Sequence, residues 1–385
     1  MNNFTYHNYT NIVFGKDTED QVGVLTAAMG KKALLHYGMG SIKRSGLYDR
    51  VVASLKAAGM DFVELGGAVP NPRLALVKEG IDLCRREGVD CILAVGGGSA
   101  IDSAKAIAVG VPYDGDVWDF YEGSYDPGKN ILPLGVVLTI PAAGSETSVG
   151  SVVTKEEGLL KRGASAPCLR PQFAILNPEL TYTLPFSETA NGVSDMMAHI
   201  MERYFTHTTG VDFSDRLCEA AMRSIINIAP KLKDNPRDYD ARADIMWAGC
   251  VSHCDILGLG REEDWASHGI EHELSAIYDI AHGAGLSIVF PAWIKYVYKD
   301  NMSRFVQWAL RVFDVELPQH DEDAIVLEGV RRLEAFFKRM DLPVRFGDIG
   351  LDDSHIEEMA AKAAPLGDFK ELTKEDVAAI YRLAL

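Results

Sequence analysis

The feature that most constrains this chain is a change in its apolar pattern near residue 180. Before that point, short apolar runs alternate with longer amphipathic segments, as in a parallel sheet with helices on both faces. After the turn-rich segment 177–185, the alternation typical of strands disappears and one amphipathic helical pattern follows another. We therefore predict an α/β domain over residues 1–180 and an all-α domain over residues 181–385.

The individual elements are predicted from the same periodicities. In the first domain the predicted strands are Ala33–Tyr37, Phe62–Leu65, Asp90–Val95, Leu134–Ile140 and Phe173–Leu176, and the predicted helices are Leu47–Ala58, Pro72–Glu87 and Ala100–Ala108. In the second domain the predicted helices are Ser187–Phe205, Asp212–Asn227, Asp240–His253, Asp264–Ala276, Pro291–Val297, Ser303–Phe313, Ala324–Met340 and Ser354–Ala363.

Composition and charge narrow the class of protein. With 385 residues the chain exceeds what one core usually serves, and 47% hydrophobic with 24% charged residues is globular composition rather than disorder or low complexity. The formal net charge of −17 argues against nucleic acid and anionic membrane as partners. The apolar runs are shorter than the roughly 20 residues of a membrane span. The polar and aromatic start, without a signal pattern, leads us to expect a cytoplasmic protein.

The six cysteines do not suggest a disulfide scaffold in a chain of this length. Cys250 and Cys254 lie four residues apart with His253 between them, so a soft-metal site is conceivable, but no CxxC pair supports one. We interpret them as buried free cysteines that pack as small apolar side chains.

A run of glycines separates the third predicted strand from the helix that follows it. Gly97 and Gly98, with Ser99 after them, let a ligand approach the backbone, and the start of the helix favours an anion such as a diphosphate. Asp102 falls in the first turns of that helix. The alternative is a tight turn with Ser99 as a plain N-cap. The run is not the GxGxxG fingerprint and does not follow the first strand, so an orthodox Rossmann domain is not expected.

Two further loops are expected at the same edge of the sheet, where open α/β sheets bind ligands. One is the hydroxyl-bearing segment from Thr139 to Ser148. The other follows the first predicted strand, where Gly38, Gly40 and Ser41 stand in place of an acid that would accept from an NAD ribose, with Lys43 and Arg44 just beyond. Small residues and cations favour a 2′-phosphate there; a solvated basic turn is the alternative.

The second domain carries a constellation of one acid and several histidines. Asp195 and His199 are one helical turn apart, His268 and His272 repeat that spacing, and His282 follows before a glycine. A buried, unpaired Asp195 would be costly, and a divalent cation held by carboxylate and neutral imidazole offsets that cost. Nitrogen and oxygen ligands suit Fe(II), Zn(II), Mn(II), Co(II) or Ni(II).

Spacing alone does not decide which of these histidines is left out of the ligand set. Glu271 and Glu273 are predicted to fall on other helix faces than the histidines. The remaining histidines are interpreted as structural or surface residues: His7, His36, His207, His253, His320 and His355.

Taken together these motifs resemble one known family. Gly96-Gly97-Gly98-Ser99 with Asp102 and Lys105, Pro141-Ala142-Ala143-Gly144-Ser145-Glu146, Asp195-x3-His199, and His268-x3-His272 with His282-Gly283 resemble the iron-containing (group III) alcohol dehydrogenases, in particular their butanol dehydrogenase branch, whose members often use NADPH. The resemblance covers nearly the whole chain. It implies a Rossmann-like dinucleotide-binding domain followed by an all-α metal-binding domain, the architecture of dehydroquinate synthase.

The resemblance also implies roles for individual residues. Asp195, His199, His268 and His282 fill the metal-ligand positions, and His272 holds a catalytic position near the nicotinamide and the substrate. The cofactor-binding positions carried over are Gly38, Gly40, Ser41, Asn71, Gly97, Gly98, Ser99, Asp102, Thr139, Ser148 and Lys161. Ala142 and Ala143 replace threonines that are frequent in the family, so fewer hydroxyl contacts to the cofactor are expected.

The activity that the resemblance implies is the interconversion of primary alcohols and aldehydes, working as an NADPH-dependent aldehyde reductase. It implies NADP(H) rather than NAD(H), one divalent metal, Fe(II) with Zn(II) as the alternative, a small alcohol or aldehyde substrate, and a homodimer. Three other functions stay open: a glycerol-type polyol dehydrogenase, a noncatalytic nucleotide-binding protein with a structural metal, and a metal-dependent lyase related to dehydroquinate synthase. The last is disfavoured because residues 193–285 place few cations near the histidines.

Overall fold

A computed structural model of the chain describes residues 1–316 and 321–385. His320 lies outside the described residues. The described residues divide into two compact units. The sheet unit comprises residues 7–184 and 236–250, and the helical unit comprises residues 1–6, 185–235 and 251–385. No helix in the described ranges is long and apolar enough to cross a membrane.

The core of the sheet unit is a six-stranded sheet in which every neighbouring pair of strands is parallel, in the order β1-β8-β5-β4-β2-β3. A separate antiparallel hairpin is formed by β6 and β7. The parallel sheet confirms the predicted α/β class. The strands are β1 Asn11–Phe14, β2 Lys32–Gly38, β3 Asp61–Ala68, β4 Cys91–Gly96, β5 Leu134–Leu138, β6 Gly150–Lys155, β7 Leu160–Ser165 and β8 Phe173–Leu176.

Alternate residues of the central strands pack into two different apolar clusters. In β2, Leu34 belongs to one cluster and Leu35 to the other; in β4, Ala94 and Leu93 divide in the same way. A sheet buried on both faces explains why these strands are nearly continuous apolar runs in the sequence. The helices of the first 180 residues are α1 Val22–Ala27, α2 Ser41–Arg44, α3 Leu47–Ala57, α4 Leu74–Glu87, α5 Gly98–Gly110 and α6 Trp118–Tyr121.

The helical unit is built around one helix, α12 (His282–Val297), that is apolar on nearly all sides. A helix with such a sequence must be surrounded by other helices, and α12 packs against α7 (Phe186–Tyr204), α11 (Ala266–Tyr278), α14 (Glu322–Arg339) and α16 (Lys374–Leu383). Most of α10 belongs to the sheet unit, where Met246 and Cys250 join an apolar cluster. The remaining helices are α7 Phe186–Tyr204, α8 Asp212–Ile228, α9 Lys231–Asp234, α10 Tyr239–Ser252, α11 Ala266–Tyr278, α12 His282–Val297, α13 Met302–Phe313, α14 Glu322–Arg339, α15 Ile356–Ala363 and α16 Lys374–Leu383.

Several elements differ from the sequence-based prediction. The edge strand β1, the β6–β7 hairpin and helices α1 and α16 were not predicted, and α12 begins at His282 rather than at Pro291. Glycines at 283 and 285 obscured the start of α12, because glycine is a poor helix former in isolation. The glycine run consequently follows the fourth strand of the chain, not the third.

Candidate metal and dinucleotide sites

The acid and the first histidine of the constellation lie on one face of α7. Asp195 and His199 are both buried, and Nε2 of His199 lies 3.3 Å from Oδ1 of Asp195. The separation of one helical turn brings the two side chains together, as the sequence spacing predicts.

Two more histidines reach the same carboxylate oxygen from other helices. Nε2 of His268, on α11, lies 3.6 Å from Oδ1 of Asp195, and Nε2 of His282, the first residue of α12, lies 3.8 Å from it. Three imidazole nitrogens from three helices therefore converge on one oxygen atom. Asp195, His268 and His282 also form a group whose ligand atoms all lie within 4.8 Å of one another; that group does not include His199.

The spacing of these atoms fits a shared cation better than direct hydrogen bonds. Two of the three nitrogen–oxygen distances exceed the range of a hydrogen bond, whereas four ligands at about 2.1 Å from a tetrahedral metal lie about 3.4 Å from one another. Oδ1 of Asp195 and Nε2 of His268 are buried, and no hydrogen-bond partner for either atom lies among the residues that the structure describes. Buried polar atoms are rarely left in that condition, so the donor set fits a metal ion.

Two buried carboxylates lie behind the histidines. Oε2 of Glu202, on α7, contacts Nδ1 of His268, and Oε2 of Glu271, on α11, contacts Nδ1 of His282. The expectation that Glu271 faces away from the histidines is wrong: it follows His268 by three residues, a separation that shares a helix face. Glu202 was missed for the same reason, since it follows His199 by three.

The electrostatics of the cluster favour an added positive charge. Burial acts to raise the pKa of the Asp195 carboxyl, but the imidazoles around it hold that pKa well below its usual value. Burial, and after it the adjacent His268 ring, lowers the pKa of His199 to about 3. Burial also acts to lower the pKa of His268, but the carboxylates of Glu202 and Asp195 outweigh it and raise that pKa to about 10. A proton or a metal cation can supply the positive charge that balances the carboxylates of Asp195 and Glu202.

The glycines after His282 allow the helices to approach closely enough to form the cluster. A Cβ on Gly283 would lie 2.0 Å from the backbone oxygen of Asn191 in α7. A Cβ on Gly285 would lie 2.5 Å from Oε1 of Glu271. Both glycines are therefore required by packing, which gives the His-Gly-x-Gly pattern a physical reason.

His272 occupies a different place from the three converging histidines. Its ring centroid lies 5.6 Å from that of His282 and 6.4 Å from that of His268. It joins Glu271 and His282 in a second group whose ligand atoms lie within 4.8 Å of one another. The structure thus places His272 beside the cluster around Asp195.

One histidine interpreted as structural lies against the site. The ring of His253 is 4.2 Å from that of His199, and its Nδ1 accepts a hydrogen bond of 2.7 Å from the buried Arg203 guanidinium. The view that His253 has no companion is therefore wrong. His36 and His207 do have structural roles, since both rings bind backbone carbonyl oxygens.

In the sheet unit, the glycine run lies between β4, which ends at Gly96, and α5. Gly97 is the N-cap of α5, and because it has no side chain it leaves the first N–H groups of the helix uncapped. A Cβ on Gly97 would lie 2.9 Å from the side chain of Ile140, whereas one on Gly98 would meet no atom of residues 1–316 and 321–385 within 4 Å. Packing explains the first glycine, and the open space at the second leaves room for a ligand at the helix N-terminus.

Asp102 and Lys105 fasten the neighbouring loop to α5. Asp102 accepts hydrogen bonds from Ser145 Oγ at 2.6 Å and from the Val152 N–H at 3.0 Å. Nζ of the fully buried Lys105 donates to Ser148 O at 3.0 Å and to Gly150 O at 2.7 Å. Both side chains therefore help to shape the loop that carries Ser148.

The three predicted loops lie at one edge of the sheet. β2, β4 and β5 are parallel neighbours, with Tyr37 opposite Val95 and Gly96 opposite Leu138, so the segments after their carboxyl ends are adjacent. Of the other cofactor candidates, Asn71, Thr139 and Lys161 are buried, while Ser41 is exposed at the start of α2.

An acid that sequence reasoning did not place near the first loop lies on β3. Glu64 accepts a hydrogen bond of 3.0 Å from the Tyr37 hydroxyl, and one of its oxygens lies 3.6 Å from Nζ of Lys43. The sequence could not show this proximity, because strand order decides it.

Comparison with known proteins identifies the family. Residues 10–178 match the family described as "Iron-containing alcohol dehydrogenase", and residues 189–385 match "Fe-containing alcohol dehydrogenase family, C-terminal". The chain belongs to the iron-containing alcohol dehydrogenase family. It is thus a group III enzyme, a metal-dependent NAD(P)H oxidoreductase that interconverts alcohols and aldehydes.

Individual relatives agree with this assignment. The chain is 43% identical to the "Probable NADH-dependent butanol dehydrogenase 1" of Bacillus subtilis and 33% identical to the "NADPH-dependent aldehyde reductase YqhD" of Escherichia coli, over all of both chains in each case. A crystal structure of NADH-dependent butanol dehydrogenase A from Thermotoga maritima superimposes with a TM-score of 0.96 at 39% identity, covering 100% of this chain and 99% of that one. These matches confirm the fold that the resemblance implies.

Proposed function

We propose that this family member acts on short primary alcohols and aldehydes of the butanol and butanal type, with aldehyde reduction by NADPH as its working direction. The observation that carries the proposal is the convergence of three imidazole Nε2 atoms on Oδ1 of Asp195, at 3.3, 3.6 and 3.8 Å. Relatives named as butanol dehydrogenases and as an aldehyde reductase support the substrate class.

The proposed metal ligands are Asp195, His199, His268 and His282. When bound there, Fe(II), or Zn(II) in its place, supplies a Lewis acid for the substrate oxygen. The protein residues fix the directions of the rings and exclude water from the carboxylate, since Asp195, His199 and His268 are buried.

His272 is the proposed catalytic residue. Its ring lies beside that of His282 without joining the cluster around Asp195, so it can move a proton without leaving the metal site incomplete. Histidine suits this role because its unperturbed pKa is near neutrality.

The sheet unit is proposed to bind the dinucleotide. The N–H groups at the start of α5 bind the pyrophosphate, with Gly97, Gly98 and Ser99 as the closest backbone. Asp102, Thr139, Ser148, Lys161 and Asn71 complete the proposed cofactor site, Asp102 by holding the 145–152 loop in place.

The choice between NADPH and NADH depends on the loop after β2. Gly38, Gly40 and Ser41 carry no acidic side chain, and Lys43 follows Ser41 by two residues. A loop with a cation and no acid favours a 2′-phosphate. Glu64 favours NADH as the second candidate, because its carboxylate lies 3.6 Å from that lysine and would repel a phosphate. Several relatives are named NADH-dependent, which also supports this alternative.

Elemental analysis of anaerobically purified protein, with butanal reduction assayed using NADPH and NADH, tests the proposal. We expect one divalent metal per chain, turnover of butanal, and a higher kcat/KM with NADPH. A metal-bound protein that turns over neither coenzyme would support a noncatalytic role with a structural metal. Higher activity on glycerol than on butanol would support the polyol alternative.

A further inference from the structure

Two carboxylates that do not belong to the proposed ligand set contact the outer nitrogens of two proposed ligands. Glu202 is 1% exposed and contacts Nδ1 of His268, and Glu271 is 0% exposed and contacts Nδ1 of His282. In both rings the opposite nitrogen, Nε2, is the one nearest to Asp195. Each ring therefore lies between a carboxylate behind it and the shared oxygen in front of it.

Both carboxylates are held in place by further contacts. Oε1 of Glu202 accepts a hydrogen bond of 3.1 Å from the backbone N–H of His268, so the same residue is bound through its ring and its backbone. The second oxygen of Glu271 accepts a hydrogen bond from the Ser275 hydroxyl. Gly285 leaves the space that this carboxylate fills.

Burying a carboxylate costs several kcal/mol unless it is paired, and the contacts with the two imidazole rings offset that cost for Glu202 and Glu271. A carboxylate that accepts the Nδ1–H of an imidazole fixes the tautomer with Nε2 unprotonated and makes that nitrogen a better donor to a metal. His199 differs: among the ion pairs of the described residues, its only carboxylate contact is through Nε2 to Asp195, one turn earlier on α7, whereas His268 and His282 each have a carboxylate at Nδ1.

We propose that Glu202 and Glu271 are positioning residues that orient His268 and His282 and raise the affinity of the site for its cation. The proposal rests on the proposed function, since it presupposes that Nε2 of both rings binds a metal. It predicts that neutralising either glutamate weakens metal binding while the fold remains intact.

The test compares metal affinity in the full-length chain. Metal-free wild type, Glu202→Gln and Glu271→Gln are titrated with Zn(II) against a chromophoric chelator. Glutamine keeps the size and an acceptor oxygen but removes the charge. We expect each variant to bind Zn(II) about 10- to 100-fold more weakly. The visible spectrum of each Co(II)-loaded variant should also differ from wild type, because the donor strength of one ring changes.

Glu219→Gln is the matched control. Glu219 is a buried glutamate of the helical unit that accepts hydrogen bonds from Tyr204 at 2.9 Å and from Arg311 at 3.1 Å. This variant should lose stability without losing Zn(II) affinity. A glutamine variant that does not fold is replaced by aspartate at the same position, which shortens the reach by one methylene and should bind several-fold more weakly.

Wild-type affinity in the folded variants of both glutamates would overturn the proposal and leave the proposed function intact. Absence of metal binding by the wild type would instead contradict the proposed function itself. A stoichiometry that falls from two metals to one in Glu271→Gln would show that Glu271 is a ligand of a second ion with His272, which would also overturn the positioning role.

Discussion

Buried charged groups have different surroundings in the two units of this chain. In the sheet unit, Nζ of Lys105 donates hydrogen bonds to three neighbouring residues at distances between 2.7 and 3.2 Å. In the described part of the helical unit, Oδ1 of Asp195 and Nε2 of His268 are buried without a hydrogen-bond partner. A buried charge that is hydrogen-bonded within the protein stabilises the fold, whereas a buried carboxylate oxygen on which three imidazole nitrogens converge indicates a metal ligand.

The largest effect is expected where the helical cluster is broken. His268→Ala should remove bound metal and lower kcat/KM for butanal by more than about 100-fold, because a Lewis acid supplies several kcal/mol. His207→Ala is the control, since its Nε2 binds the Phe369 carbonyl at 2.9 Å and takes no part in the cluster around Asp195. Activity that survives in metal-free His268→Ala would refute the Lewis-acid account.

His272→Ala should separate proton movement from metal binding. We expect kcat to fall about 100-fold while one metal per chain is retained, because general acid–base groups contribute on that scale. Metal content and steady-state rates measured on the same preparation check both parts. Loss of the metal would show that His272 belongs to the ligand set.

The sheet unit should respond in stability rather than in metal content. Lys105→Met leaves buried acceptors at Ser148 and Gly150 without their donor, and we expect unfolding free energy in urea to fall by about 4 kcal/mol. Lys155→Met, whose ammonium lies 5.5 Å from the ring of Trp118, should cost less than about 1 kcal/mol. If both variants lost the same unfolding free energy, the hydrogen bonds of the buried Lys105 would contribute no more to stability than the peripheral Lys155.

His36 gives the sheet unit a pH dependence of its own. Burial lowers the pKa of His36 to about 4, so the ring is neutral in the folded state. In the unfolded chain it binds a proton near its ordinary pKa of about 6.5, and stability is therefore lost as pH falls from 6.5 towards 4, by about 3 kcal/mol at most. Urea unfolding of wild type and His36→Gln at pH 7 and pH 4.5 checks this: the advantage of wild type should shrink at the lower pH.

The smallest effects should distinguish packing from ligand approach in the glycine run. In Gly97→Ala the added methyl group clashes with the side chain of Ile140, and the protein should be destabilised by about 1–2 kcal/mol. Gly98→Ala has open space around its Cβ, so stability should be unchanged while NADPH, measured by fluorescence titration, binds about 10-fold more weakly. Unaltered NADPH affinity in Gly98→Ala would contradict the proposed pyrophosphate position.

Spacing along the sequence predicted several of the contacts within the two candidate sites. One-turn separations placed Asp195 with His199, and the glycine run between a strand and a helix lies where it was expected. Strand order brought the loops after β2, β4 and β5 to one edge, in agreement with the general behaviour of parallel sheets.

What could not be predicted depends on contacts between distant segments. The packing of α11 against α12 decides that His282, and not His272, converges on Asp195. The spacing of residues within one helix carries no information about that packing. Glu202 and Glu271 could have been found, because both lie three residues after a candidate ligand. Glu64 reaches the loop after β2 only because β3 pairs beside β2, 29 residues along the chain from Leu35 to its partner in register.

The central claim is that one carboxylate and three imidazoles bind a single cation in the helical unit. X-ray absorption spectroscopy of the metal-loaded protein tests it most directly. The account predicts one light-atom shell of nitrogen and oxygen near 2.0–2.2 Å, with the outer-shell scattering of three imidazoles. A sulfur shell near 2.3 Å would place the metal on cysteine instead, and fewer than three imidazoles would contradict the convergence on Asp195.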